Sequence, residues 1–154
     1  MGRLLLDAFN WFDASLLASL KEQGWPDLSR SLSMVMAYLD SDGIRISELA
    51  RRLGVSRQAA QKSVKELERL KLVKTEVDPT NSSAKTVVLT DQGKANVTAA
   101  LDAFSEIEMQ LSRRIGSADL ASMRKTLEKD WGAPITVKKK RITNRSTERA
   151  SPAG

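Results

Sequence analysis

The 154-residue chain contains neither cysteine nor histidine. Without cysteine there can be no disulfide, no thiolate nucleophile and no thiol-based redox sensing. The lack of histidine also removes the usual zinc ligands, the commonest general base and every Cys–His or Ser–His pair. Carboxylates alone could still serve an enzyme, but no glycine-rich phosphate loop accompanies them. The expectation is a protein that is not an enzyme and carries no metal or cofactor. Long apolar runs are missing too. Leu4, Leu5 and Leu6 follow Arg3, but Asp7, Asn10 and Asp13 break the stretch too early for a signal peptide. No run approaches membrane-spanning length. A cytoplasmic protein with no membrane contact is expected.

Charge is present in quantity and is unevenly placed. The chain holds 25 Lys plus Arg against 19 Asp plus Glu, a net charge of +6. Residues 1–50 carry 4 basic and 7 acidic side chains, whereas residues 51–74 carry 8 and 2. Residues 75–133 carry 7 and 9, and residues 134–154 carry 6 and 1. Positive charge is thus focused on one short central segment and on the C-terminal end. A polyanionic partner is the simplest cause of such segregation.

The central segment reads as two short amphipathic helices hinged at Gly54. Ser47 is expected to cap the first, which buries Leu49, Ala50 and Leu53 at helical spacing. Gly54 supplies the left-handed residue that ends it, Val55 is expected to plug the corner, and Ser56 caps the next helix. Small Ala50 lets the second helix cross close to the first. This is the pattern of a helix-turn-helix, whose second helix enters the DNA major groove. At about 100° per residue, Ala60, Ser63, Val64, Leu67 and Leu70 fall on one side of that helix. Gln58, Gln61, Lys62, Lys65 and Arg69 fall on the other, with Arg57 near the N-terminal end between the faces. Gln can pair bidentately with adenine, while Lys and Arg reach guanine edges or phosphates. A plain solvated face would also be polar, so the charge focusing carries part of the inference.

Beyond this helix, Leu72, Val73, Thr75 and Val77 form one strand pattern and Thr86 to Leu89 another. The polar segment from Asp78 to Lys85 lies between them as an expected loop. Together they make a β-hairpin wing. Thr90 then caps a long helix.

The motifs S-E-L-A-x-x-L-G-V-S (47–56), L-E-R-L-x-L-V (67–73) and D-P-x-x-x-x-A-K-x-V-x-L-T-x-x-G (78–93) occur in an order and spacing that resembles the MarR (multiple antibiotic resistance regulator) family of bacterial winged-helix transcription factors. Over residues 30 to 115 the likeness is one of motif, and in the flanking helices one of pattern. Two departures stand out. The resembled wing usually carries an Arg two residues after its Asp, where this chain has Thr80, leaving Lys85 as the cation of that loop. Ser63 stands where a larger aliphatic is usual, which implies a looser or differently packed helix.

Apolar stripes recur in the flanks. Leu4, Leu5, Ala8, Phe9, Phe12, Leu16, Leu17 and Leu20 mark a first helix, ended by Gly24-Trp25-Pro26, and a second helix runs from Ser29 to Leu39. Val97, Leu101, Phe104, Ile107, Leu111 and Ile115 mark the long helix, and Leu120, Met123, Leu127 and Trp131 a final one. A helix of some 25 residues spans nearly 40 Å at about 1.5 Å per residue, more than a compact winged-helix lobe covers. The outer apolar positions therefore need another surface, either within the chain or on a second copy. The resemblance implies interlocking terminal helices in a homodimer, which would set two recognition helices on successive major grooves of a pseudo-palindrome.

The expected fold is mainly α with a small β-hairpin wing. It is a winged helix-turn-helix with long N- and C-terminal dimerisation helices. Residues 1–133 form a single domain, in which 1–28 and 94–133 are dimerisation helices and 29–93 the DNA-binding lobe. Residues 134–154, rich in Lys and Arg and without an apolar stripe, read as a basic disordered tail. The expected function is a sequence-specific, double-stranded-DNA-binding transcriptional regulator, a repressor acting as a homodimer. Gln58, Gln61, Lys62 and Lys65 are its expected groove contacts, and Ser56 stands beside them at the cap. Arg57, Arg69 and Lys85 are expected on phosphate. The resemblance also implies a small aromatic or phenolic effector between the dimer helices and the lobe. Phe9, Trp11, Phe12, Trp25 and Tyr38 could line its pocket or be plain core and interface residues. Two alternatives use the same features: a non-specific architectural DNA-binding protein, and a winged-helix protein–protein adaptor. The Lys-rich face argues against the adaptor, since interface cores are depleted in Lys.

Overall fold

A computed structural model describes residues 1–39, 42–78 and 81–137, with the side chains of 78 and 81–84 outside that description. The described elements run α1 (Gly2–Glu22), α2 (Arg30–Ala37), β1 (Ile44–Arg45), α3 (Ile46–Leu53), α4 (Arg57–Arg69), β2 (Val73–Asp78), β3 (Asn81–Leu89), α5 (Asp91–Ile115) and α6 (Ser117–Leu127). The mainly helical fold with a small antiparallel sheet is as expected from the sequence.

The lobe is built around one core. Val35 of α2, Leu49 of α3, Val64 and Leu67 of α4, Leu72, and Val87 of β3 are essentially inaccessible. Each fully buried side chain of this size contributes about 1.5–3 kcal/mol relative to exposure. A second, smaller cluster joins Leu16 and Leu20 of α1 to Ala103 and Ile107 of α5. Phe12, Trp25 and Phe104 pack against it half-buried.

The helix-turn-helix hinge forms as its residues predict. Gly54 takes φ +66°, and the Val55 N–H reaches back to the Ala50 carbonyl at 3.1 Å, closing the end of α3. Ser56 caps α4, its hydroxyl accepting from the Ala59 N–H at 3.1 Å. Two local expectations are corrected. Ser47 is not a cap: α3 starts one residue earlier, with Arg45 in the N-cap position and no side-chain cap bond. The reason is β1, which pairs Ile44 with Val87 and Arg45 with Thr86, so the chain enters the helix straight from an extended ladder. Val55 does not plug the corner either. It is 45% exposed, whereas Ala50 and Ala60 on the two helices are buried in the main core.

The wing differs as well. β3 begins at Asn81 rather than Thr86, so most of the expected 78–85 loop is strand, in the sheet order β1-β3-β2. The register breaks between Val77, opposite Lys85, and Asp78, opposite Asn81. Such an irregularity lets polar, turn-forming residues join a ladder while bending it.

The corner between α4 and the long helix is closely bolted. Lys71 holds φ +61°, and the Thr90 hydroxyl donates to its carbonyl at 2.5 Å. The Thr90 N–H donates to the Leu72 carbonyl at 3.1 Å. The same hydroxyl accepts from the Gly93 N–H at 3.0 Å, the expected cap of α5.

The outer faces of the flanking helices remain uncovered. Leu101 is 62% exposed, and Leu4, Leu6 and Leu127 are also open; Trp131, expected in the final helix, lies beyond the end of α6 and is 60% exposed. α6 buries no residue and is tied to α5 by an Arg124–Glu108 ion pair. No helix among the described residues is long and apolar enough to cross a membrane.

Candidate nucleic-acid interface

Helix α4 separates its faces cleanly. Ala60, Val64 and Leu67 are buried against the lobe core, and Leu70 is half-buried. On the opposite side Gln58, Gln61, Lys62, Lys65 and Arg69 are all exposed, with Arg57 at the first helical position. The docked back therefore fixes the direction in which two amides and two ammonium groups project. Ser56 accepts the cap bond through one lone pair of its hydroxyl oxygen, which leaves its O–H available as a donor.

Not every cation here is equally free. Arg69 forms a two-pronged pair with Glu66, its Nη2 at 2.5 Å and Nε at 3.2 Å. That hydrogen bond holds the Glu66 carboxyl below its ordinary range and raises the guanidinium. A phosphate would have to compete with Glu66 for Arg69. On the wing, Lys74 is similarly engaged by Glu76 at 2.7 Å. Lys85 lies exposed on β3, opposite Val77 in the ladder. Thr80, the side chains of 81–84 and the basic stretch from Lys138 lie outside the described residues.

The structure adds a cluster to which sequence reasoning assigned no contact. Glu48 accepts from Arg51 through Nε at 2.8 Å and Nη2 at 2.7 Å, and from Arg52 Nε at 2.8 Å. The Arg51 hydrogen bond, with that from Arg52 second, pulls the Glu48 carboxyl down to about 2. Both guanidiniums are exposed on α3, next to the hinge that presents α4. Their signal in the sequence was the Arg51-Arg52 pair at the start of the basic segment.

Ser63, the small residue on the docked side of α4, is half-buried. It borders an open groove of about 820 Å³ with Leu32, Met34, Leu53, Val55 and Ala59.

A second concavity, about 610 Å³ and mostly apolar, lies between α1, α2, α5 and α6. Of the five aromatic residues expected at an effector pocket, Phe9 and Phe12 line it. Trp11 instead borders a separate groove with Ser15, Asp102 and Arg114, and meets Phe12 edge-on at 5.1 Å. Trp25 packs on the smaller core cluster and Tyr38 on the main one. Sequence reasoning missed Asp13, Ser33 and Asn96 in the wall of this cavity. Polar residues within apolar stripes looked like interruptions of a pattern, with no signal of burial.

The MarR family model matches residues 27–82, a span running from just before α2 into the wing. The HTH-type transcriptional regulator TcaR of Staphylococcus aureus (strain Newman) is 28% identical over 121 residues, covering 77% of this chain and 79% of that protein. Among solved structures, wild-type MarR from E. coli in its apo form superposes with a TM-score of 0.68 at 19% identity, covering 82% of this chain and 93% of that one. MepR, a transcription regulator of the Staphylococcus aureus multidrug efflux pump MepA, gives 0.64 at 22% identity, with coverage of 82% and 93%. A mutant of S. aureus MepR bound to an oligodeoxyribonucleotide gives 0.58 at 22% identity, with coverage of 82% and 91%. In its matched lobe, its related regulator and its fold, this chain is similar to the MarR family of winged helix-turn-helix transcriptional regulators.

Proposed function

We propose that the protein is a cytoplasmic, homodimeric repressor that binds a pseudo-palindromic operator in double-stranded DNA and responds to a small aromatic or phenolic effector. The observation that carries the DNA reading is the split of α4. Its apolar back is sealed into the core, and Gln58, Gln61, Lys62 and Lys65 all project from the front. Gln61 and Gln58 are assigned to base edges, Lys62 and Lys65 to the groove, and Arg57, Arg69 and Lys85 to phosphate, with Ser56 donating at the cap. Residues 29–93 form the DNA-binding lobe in this reading. The helices within 1–28 and 94–133 form the dimer surface, and their uncovered leucines support that assignment. The MepR complex with an oligodeoxyribonucleotide supports the choice of DNA as partner. Affinity for the promoter region of its own gene, measured against scrambled DNA at two salt concentrations, tests it. Strong preference for the promoter is expected. Equal affinity for both would favour an architectural protein, and no affinity for either an adaptor.

Gln61→Ala should lower affinity for the specific site by roughly 1–3 kcal/mol and leave non-specific binding nearly intact. Equal losses on specific and random duplexes would remove Gln61 from the base edge. Lys65→Ala is the comparison: a phosphate role would weaken both duplexes and reduce the salt slope by about one unit.

The chain's basic end is proposed to act as a sequence-independent anchor. Residues 134–154 carry 6 cations, whereas the wing has Thr80 in place of an Arg suited to a narrow minor groove. Deleting 134–154 should therefore cost more affinity than Lys85→Ala, on any sequence, and most of the loss should vanish at high salt. Unchanged low-salt affinity after the deletion would show that the segment is a passive end.

A further inference from the structure

The cavity between α1, α2, α5 and α6 has an unusual inner end. Its outer rim is aliphatic: Leu5, Leu101, Met123 and Leu127. Its inner wall holds Asp13, Ser33 and Asn96, and its lining includes no Lys or Arg. Asp13 is only 6% exposed, and Asn96 only 2%. The Asn96 Nδ2 has no hydrogen-bond partner, although it sits in a wall that is otherwise mostly hydrocarbon. A buried unmet donor costs about 1–3 kcal/mol, so such a group is expected to meet an acceptor in the working state. Asp13 is partly satisfied. Arg30 Nε donates to Oδ2 at 3.0 Å and the Ser33 hydroxyl to Oδ1 at 3.2 Å. A carboxylate offers about four lone-pair sites, so these two donors leave capacity for another. Arg30 approaches from outside the cavity, half-exposed and with its guanidinium 6.0 Å from the centre of the Phe9 ring. Solvent screens that cation, whereas the carboxylate faces the apolar space.

We infer that this cavity selects apolar effectors that carry a positive charge and a hydrogen-bond acceptor: the charge is taken by Asp13 and the acceptor by Asn96 Nδ2. An anionic aromatic acid is disfavoured. Entering would bring a second negative charge beside Asp13 and strip its water, with no lysine or arginine in the cavity lining to receive it. This deepens the effector reading above, rests on it, and replaces the phenolic class with a basic one. Phe9 and Phe12 then supply faces against which a cation with an aromatic body can stack. The site also bears on control, because Asp13 stands on α1 whereas Arg30 and Ser33 belong to α2 of the lobe. An ammonium group that draws Asp13 inward competes with the only side-chain hydrogen bonds described between those helices.

The test is calorimetric titration of the full chain with three probes of one shape: 4-phenylbutylamine, 4-phenylbutan-1-ol and 4-phenylbutanoate. No DNA is needed, so this result and operator binding can fail separately. The amine should bind at least about ten-fold tighter than the acid, a difference equal to about 1.4 kcal/mol, with the alcohol between. Asp13→Asn should abolish the preference for the amine while leaving the alcohol within about two-fold. Asn96→Leu should raise the melting temperature of the free protein, since it removes the unmet donor, and should weaken the alcohol. The ranking on the unaltered chain stands even if Asp13→Asn fails to fold. Equal or tighter binding of the acid would overturn the proposal. So would the absence of saturable binding by any probe, as when a partner's helices fill the space. A lower melting temperature for Asn96→Leu would show that the amide is a satisfied structural group.

Discussion

Gly93→Ala should destabilise the protein by about 3 kcal/mol or more, a fall in Tm on the order of 10 °C. A Cβ at this position would sit 1.9 Å from the Leu72 carbonyl oxygen and 2.9 Å from its carbon. Both are backbone atoms, so no side chain can rotate away to make room. The Leu72 carbonyl is itself held by the Thr90 N–H at 3.1 Å, and Leu72 is fully buried. Relief therefore requires α5 to move off the end of the recognition helix. In an exposed helix, Gly to Ala would gain up to about 1 kcal/mol from propensity, and here that gain is overwhelmed. Gly54→Ala is the informative control. Gly54 has φ +66° but nothing within 4 Å of the added carbon, so its cost should be only the left-handed penalty of about 1–2 kcal/mol. Thermal melts of the two variants settle the matter. If Gly93→Ala melts no lower than Gly54→Ala, the close approach of α5 to Leu72 is not what holds the corner. Because this corner joins the long helix to the end of α4, Gly93→Ala should also lose DNA affinity near its melting range, before the lobe core is lost.

What could be read in the sequence was what depends on neighbours a few positions away. Gly54, Ser56 and Thr90 form their turn and caps through bonds spanning three to five residues, and the chain shows them as read. The two faces of α4 were legible for the same reason, since a fixed angle per residue sorts Ala60, Val64 and Leu67 from Gln58, Gln61 and Lys65. The errors fall where distant chain decides. Ser47 has good capping chemistry, but Ile44 and Arg45 are drawn into a ladder by Val87 and Thr86, which moves the helix start. The stretch from Asn81 to Lys85 has turn composition, and pairing with β2 overrides that preference in part of it. Asp13 looked like a break in an apolar run, and only the folded chain brings Arg30 and Ser33 to it. Gly93 was visible as part of a motif, but its reason lies in a carbonyl 21 positions earlier. The Arg69–Glu66 pair has a legible three-residue spacing, and in the proposed complex a phosphate competes with Glu66 for that guanidinium.

Deletion of residues 1–24 should leave a folded lobe that has lost its dimer and most of its operator affinity. The main core draws its buried residues from Leu28 to Val87 and loses the partly buried Leu17 of α1, so α2, α3, α4 and the wing keep most of their packing. The smaller cluster does not survive. It loses Leu16 and Leu20, both buried and each contributing up to about 1.5–3 kcal/mol, and leaves Ala103 and Ile107 open to water. Asp13 goes with them, and Arg30 loses its carboxylate partner. Phe104 then joins Leu101 and Leu127 in a continuous apolar surface on α5 and α6, too large for a soluble monomer to leave uncovered without a tendency to associate. In the proposed dimer the two recognition helices act as one bivalent ligand for the two halves of a palindrome. Their separation should cost roughly 10²–10⁴-fold in affinity for the full site, while affinity for a half-site changes far less. Light scattering gives the mass of the truncated protein, and titration with full and half operators gives the affinities. A monomer or an aggregate is expected, with full-site and half-site binding brought close together. A soluble, well-folded dimer that still prefers the full palindrome would show that α1 lies outside the interface, and that the leucines left exposed along it serve something other than a second copy of the chain.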